Sequence, residues 1–192
     1  MLYGKFVDAV GSLAFQLRFL SKAVGDNELR FIMKYIRIEQ SDKGEGLLGV
    51  ATDGHSLHLV DPLDQEAEKI FGMTPGYWQV FRGAHSSRLW LARLEDSQTA
   101  GWVYPAWRKV IPDGDALYKT TFEGFKIEGH KGNYADLAKF IHDFPDATAI
   151  DLEYLQSLGT GFTWDVEWYG PKKALKLTQG NRMAVIMPMS ID

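Results

Sequence analysis

"VATDGHSLHLV" (residues 50–60) has the pattern of a β-hairpin. Asp53-Gly54 at its centre is a strong turn signal, because a two-residue type I′ turn needs φ > 0 at both central positions. With that turn, Leu48, Val50, Leu57 and Leu59 share one face, since side chains alternate along a strand. Thr52 then stands opposite His55, at the open end of the same apolar face. A core-facing strand pair that finishes in a hydroxyl and an imidazole raises the question of what those polar groups serve.

Working outward, Phe6, Val10, Leu13, Leu17, Leu20 and Val24 recur at three and four, so residues 5–24 are predicted as an amphipathic helix closed by Gly25. Strands are expected at 29–39, 47–52 and 55–60, then a short helix at 64–72, then aromatic-rich strands at 77–83, 87–94 and 100–105. Residues 1–105 thus read as helix, three strands, helix, three strands, two copies of one unit without a residue-level repeat. "YPAWRKVIP" (104–112) is bracketed by Pro105 and Pro112, which favour an extended path and mark a boundary. Beyond it come a strand at 118–128, a helix opened by Asn133, a second helix capped by Asp151, and three strands ending in "RMAVIMPMSID".

The 192 residues suit one large domain or two small ones, with 45% hydrophobic and 24% charged residues, as in ordinary globular proteins. The net charge of −4 advertises no general basic surface. Without cysteine there is no disulfide, thiolate metal site or cysteine nucleophile. Asp8 and Gln16 interrupt the apolar N-terminal run, and no stretch approaches membrane length, so no membrane partner is expected and the cytoplasm is the default compartment.

No catalytic constellation emerges, and no enzyme is expected. Asp53, His55, His58 and Asp61 cluster in sequence, but the hairpin puts His55 and His58 on opposite faces, against a shared metal ion. "HSL" has neither a nucleophile elbow nor a triad order, and "GTGFTW" (159–164) follows a helix where a phosphate loop should precede one. No cofactor is implied. Trp164, Val166 and Trp168 alternate, as do Leu89 and Leu91 around Trp90, which favours sheet-face packing over stacking on bases. "AVIMPMSI" (184–191) stands apart: Pro188 belongs at a strand end or edge, and Val185, Met187 and Met189 share one face beside it. Methionine suits surfaces that accept varied partners.

Together these stretches resemble the bacterial DNA sliding clamp, the β subunit of the replicative polymerase. "VATDGHSL" is similar to the family's hairpin motif, typically ATDGHRL; "YPAWRKVIP" to its interdomain linker, typically FPDYRRVLP; and "VIMPMSI" to its C-terminus, typically VVMPMRL. The three occur in the family's order. The resemblance implies an α+β, DNA-clamp-like fold of antiparallel sheets with helices packed on one face. It implies a full clamp-like domain at 1–103, a linker at 104–112 and a second, truncated clamp-like domain at 113–192.

In the family these segments form a cleft for short linear peptides of polymerases, clamp loaders and repair proteins. Carried over, the peptide-binding cleft would use Thr52, Gly54, His55 and Leu57, then Pro105 and Val110, then Val185, Met187, Pro188 and Met189. Two positions depart: Ser56 and Ser190 stand where the family usually has arginine. The family chain has three full domains and dimerises into a ring, so an N-terminal domain is expected to be missing here. Its channel is lined by basic helix faces; here the DNA-contacting candidates are Lys5, Arg18 and Lys22 of the first helix, with Asp8 beside them, and Lys139 of the helix at 133–143. The expected function is that of a sliding-clamp-like processivity or recruitment factor in DNA replication or repair. Clamp-binding peptides are the expected partners, with double-stranded DNA and further copies of the chain as the remaining candidates. The alternative keeps the fold without DNA: an adaptor, phage- or mobile-element-derived, that sequesters clamp-interacting proteins.

Overall fold

The computed structural model describes residues 3–8, 12–26, 28–82, 88–123, 150–159 and 161–189. The expected helix at 133–143, with Lys139, and the end of the expected 118–128 strand lie outside them. The chain divides into two compact units, Met1–Pro105 and Ala106–Asp192.

In the first unit the strands are β1 (Tyr3–Asp8), β2 (Ile36–Gln40), β3 (Leu47–Thr52), β4 (Ser56–Val60), β5 (Gly76–Arg82) and β6 (Arg88–Arg93). They form a sheet in the order β1-β6-β5-β2-β3-β4, antiparallel at each described pairing. The helices are α1 (Ser12–Ser21) and two short ones, α2 (Glu66–Lys69) and α3 (Asp96–Thr99). Strand, helix, three strands, helix, two strands and a further short helix therefore replace the expected repeat of helix and three strands.

The expected 5–24 helix is the largest correction. Residues 3–8 are a strand that pairs along its whole length with β6, from Tyr3 opposite Arg93 to Asp8 opposite Arg88. Helical spacing through Phe6 loses to a full ladder of strand bonds over residues 3–8. The remaining turns, α1, bury Leu13, Leu17 and Leu20 completely against the sheet. Gly49 makes that approach possible: a Cβ built there would come within 2.6 Å of Leu20 Cδ1. Two other expected strands shorten or vanish. Glu28–Lys34 is a 3-10 segment kinked at Arg30, leaving only β2 from the 29–39 run. Residues 100–105 are a turn and an irregular stretch after α3.

The second unit opens with a 3-10 turn at Trp107–Val110, where the prolines had suggested an extended path. Trp107 is buried, with the Arg108 guanidinium 4.0 Å above its ring. The strands β7 (Tyr118–Glu123), β8 (Thr163–Trp168), β9 (Leu175–Gln179) and β10 (Arg182–Ile186) follow one another in a meander. Between β7 and β8 lies α4 (Leu152–Ser157), whose N-terminus is capped as expected: Asp151 Oδ1 accepts from the Glu153 amide at 2.9 Å. Trp164, Val166 and Trp168 are buried with Leu175 and Leu177, so these two tryptophans are core, while Trp90 on β6 is half-buried. On the opposite face Glu167 accepts from Lys119 Nζ at 2.9 Å, Lys176 Nζ at 2.7 Å and the Tyr169 hydroxyl at 2.9 Å. These cations hold its carboxyl down at about 2.

Candidate functional site

The hairpin forms with a longer turn than Asp-Gly alone predicts. Thr52 pairs with Leu57, Ala51 with His58 and Val50 with Leu59, so residues 53–56 make the connection. The register moves by two, which leaves every side chain on its expected face. Polar side chains organise this loop. Asp53 Oδ1 accepts from the amides of His55 (2.8 Å) and Ser56 (2.7 Å) and from the Ser56 hydroxyl (3.2 Å). Thr52 Oγ1 accepts from the Gly54 amide at 3.1 Å and donates to the Ser56 carbonyl at 2.6 Å. Such side-chain bonds to nearby backbone substitute for a tighter turn. Gly54 sits at φ +95°, where a side chain is strained. Thr52 is therefore a buried loop cap, and His55 lies outside the ladder, exposed at the tip.

Both faces of the hairpin are covered. Leu48, Val50, Leu57 and Leu59 are buried on one; Gly49, Ala51, His58 and Val60 are buried on the other, the face that meets α1. His58 stacks flat on Phe19 with ring centroids 4.1 Å apart, and its Nδ1 is 2.6 Å from the Phe19 carbonyl. That carbonyl is in the last turn of α1, where it also accepts from the Lys22 amide at 3.3 Å, so the imidazole is its second donor. Burial pushes the imidazole down to about 4, so it is neutral at pH 7 and donates from Nδ1. His55 and His58 thus diverge, and no group of three or more metal-ligating side chains occurs among the described residues.

The tip rests on residues that strand patterning did not single out. Gly25 N donates to the Met33 carbonyl at 3.1 Å, and a Cβ on Gly25 would stand 3.3 Å from Asp53 Cα. A Cβ on Gly54 would come within 2.5 Å of Arg30 Nη1 and 3.9 Å of Met33 Cε. The 3-10 segment that displaces the expected strand is thus the support of the hairpin tip. Tyr104 sends its hydroxyl toward the Val50 carbonyl at 3.5 Å, and burial raises its pKa.

Of the remaining candidates, Pro105 is half-buried at the end of the first unit. In the second unit Val110 is exposed on the 3-10 turn, and Val185 is buried within β10. Met187 and Pro188 are half-buried just beyond that strand, and Met189 is 54% exposed. Pro188 lies past the end of the ladder, as its missing amide requires. Of the basic candidates, Lys5 falls on β1 rather than on the helix, Arg18 is half-buried on α1, and Lys22 is exposed just after it. Among the described residues, no helix is long and apolar enough to cross a membrane.

The chain has the fold of bacterial DNA polymerase III β sliding clamps. It matches the β subunit from Borrelia burgdorferi, solved in complex with a natural product, at a TM-score of 0.59 and 12% identity, over 99% of this chain and 65% of that one. The Bacillus subtilis sliding clamp matches at 0.57 and 14% identity, over 99% and 65%. The Helicobacter pylori β clamp bound to a DNA ligase peptide matches at 0.54 and 11% identity, over 100% and 67%. The chain therefore spans about two thirds of the length of these clamps. No protein-family model matches it, and neither does any curated protein.

Proposed function

We propose that this chain is a non-enzymatic, sliding-clamp-like protein that binds short linear peptides, as a processivity or recruitment factor in DNA replication or repair. The observation that carries the reading is the clamp likeness over 99% of the chain, with a peptide-bound clamp among the neighbours. The organisation follows the resemblance: a clamp-type domain at 1–103, a linker at 104–112 and a shortened second domain at 113–192. The resemblance assigns the peptide-binding role in the first unit to Gly54 and His55 at an exposed loop, with Thr52 and Leu57 buried behind them, and to Pro105. In the second unit, taken by itself, it assigns it to Val110, Met187, Pro188 and Met189, with Val185 buried in β10. Exposed Met189, half-buried Met187 and prolines, and one exposed imidazole offer apolar contact and a few orienting polar groups, which suits a peptide with apolar and aromatic residues.

The test is a fluorescence titration with a labelled clamp-binding peptide. A micromolar Kd corresponds to roughly 8 kcal/mol, and loss of one anchor commonly costs about 2. Met187→Ala in one unit and His55→Ala in the other should each weaken binding, Met187→Ala about tenfold. Lys172→Ala, on an exposed turn, should not. Leu57→Ala is a poorer probe, because at 2% exposure it also opens the core. No binding at saturating protein, or cleft variants that bind like the parent, would refute the reading. DNA engagement through Lys5, Arg18, Lys22 and Lys139 belongs to the same proposal. Retention on nicked circular plasmid, lost on linearisation, supports a closed assembly of several copies; a monomer without retention leaves peptide binding alone.

A further inference from the structure

The segment between α3 and Pro105 is held by side chains more than by backbone. Its Trp102 amide donates to the Thr99 carbonyl at 3.0 Å, residues 102–106 adopt no repetitive structure, and Val103 is 81% exposed. The Trp102 indole is what seats it. Its ring lies 4.9 Å from Phe31 and 5.3 Å from Tyr77, both edge-on, and 5.6 Å from Tyr35. Edge-on rings attract because the positive rim of one meets the negative face of the other. Tyr77 is a fixed base: it is buried on β5 with the Arg37 guanidinium 4.8 Å over its ring. Two residues after the indole, Tyr104 lies 6.1 Å from Tyr77 and reaches toward the Val50 carbonyl of the hairpin.

Phe31 belongs to the same 3-10 segment as Arg30 and Met33, the two side chains that close on Gly54. Tyr35 follows directly. One indole therefore touches the turn that supports the hairpin tip and anchors the stretch that ends in Pro105. It also accounts for Phe31, which is 45% exposed although aromatic: the ring stands where Trp102 needs an edge to pack on. We infer that Trp102 is a latch that positions the peptide site, holding residues 101–105 and the 53–56 loop in one arrangement through the Phe31–Tyr35–Tyr77 cluster. This rests on the peptide-binding reading above. Trp102 is a positioning residue, with no contact to the peptide required of it.

Two readouts separate the latch from the function it serves. In the free full-length chain, Trp102→Ala should raise amide hydrogen exchange tenfold or more at 103–106 and 53–56, leaving β5 and the central part of β3 unchanged. In the peptide titration the same variant should weaken binding about tenfold, while Trp102→Phe, which keeps an aromatic ring in the cluster, stays within about threefold of the parent. Phe31→Ala, at an exposed ring, is the second variant should Trp102→Ala fail to fold, and should change exchange in the same two places. Exchange identical to the parent overturns the latch. Faster exchange with unchanged affinity overturns its bearing on the site. A parent that binds no peptide refutes the function and this positioning role, and the exchange pattern alone then decides whether Trp102 couples residues 101–105 to the hairpin tip.

Discussion

Acid should loosen the first unit through His58. The imidazole is fully buried between β4 and α1, and its pKa falls from the ordinary 6.5 to about 4 because burial disfavours the charged ring. Lys22 pushes the same way; the Phe19 carbonyl and Asp53 oppose it. At pH 7 the ring is neutral in both folded and unfolded chains, so this stabilisation is fully present. As pH falls below 6.5 the unfolded chain takes a proton that the folded chain refuses, and stability drops until the folded ring also titrates near 4. A gap of about 2.5 units at 1.36 kcal/mol each amounts to roughly 3 kcal/mol. Urea unfolding followed by far-UV circular dichroism, from pH 7.5 to 4.5, measures it against His58→Asn. Asparagine can still donate to the Phe19 carbonyl but does not titrate. Losing the stacked ring should cost the variant about 1–2 kcal/mol at pH 7.5. Carboxylates contribute to both proteins, so the difference between their pH slopes isolates His58. The parent should lose stability more steeply, by up to about 1.4 kcal/mol per pH unit between pH 6 and 4.5. Parallel slopes would refute the buried, neutral imidazole.

Gly54→Val should destabilise by about 2 kcal/mol, since a β-branched residue is forced to φ +95°, whereas Gly54→Asn, which tolerates left-handed backbone, should cost less. An unchanged urea midpoint for the valine variant would count against the turn. Glu167→Gln should cost about 1 kcal/mol at pH 7, discounted because Lys119 is largely exposed, and less in high salt. Because the Glu167 carboxyl is held down at about 2, that contribution is present above pH 4.5 and fades as pH falls toward 2. A variant as stable as the parent at pH 7 and low salt would show that the two lysines hold nothing.

Elements whose signals are local were legible in the chain before any packing was known. Asp151 announced the cap of α4, the alternation of Trp164, Val166 and Trp168 announced a core strand, and Asp53-Gly54 announced a hairpin whose faces survive even though its register moves by two. The sequence also carried three short motifs, in order, that point to the clamp fold found over 99% of the chain. Long-range packing made the choices between near-equal local preferences. Residues 3–8 fit a helix by spacing, yet a waiting partner, β6, supplies a complete ladder and makes them a strand. The 29–34 stretch alternates like a strand, yet it turns as a 3-10 segment that packs on Trp102 and Gly54, residues 68 and 20 or more positions away from its ends. Thr52 and His55 looked alike at the tip; a hydrogen bond to Ser56 buries one as a cap, and the longer loop leaves the other exposed. Contacts between residues far apart in the chain outweigh propensities of a few tenths of a kcal/mol, and no local pattern records them.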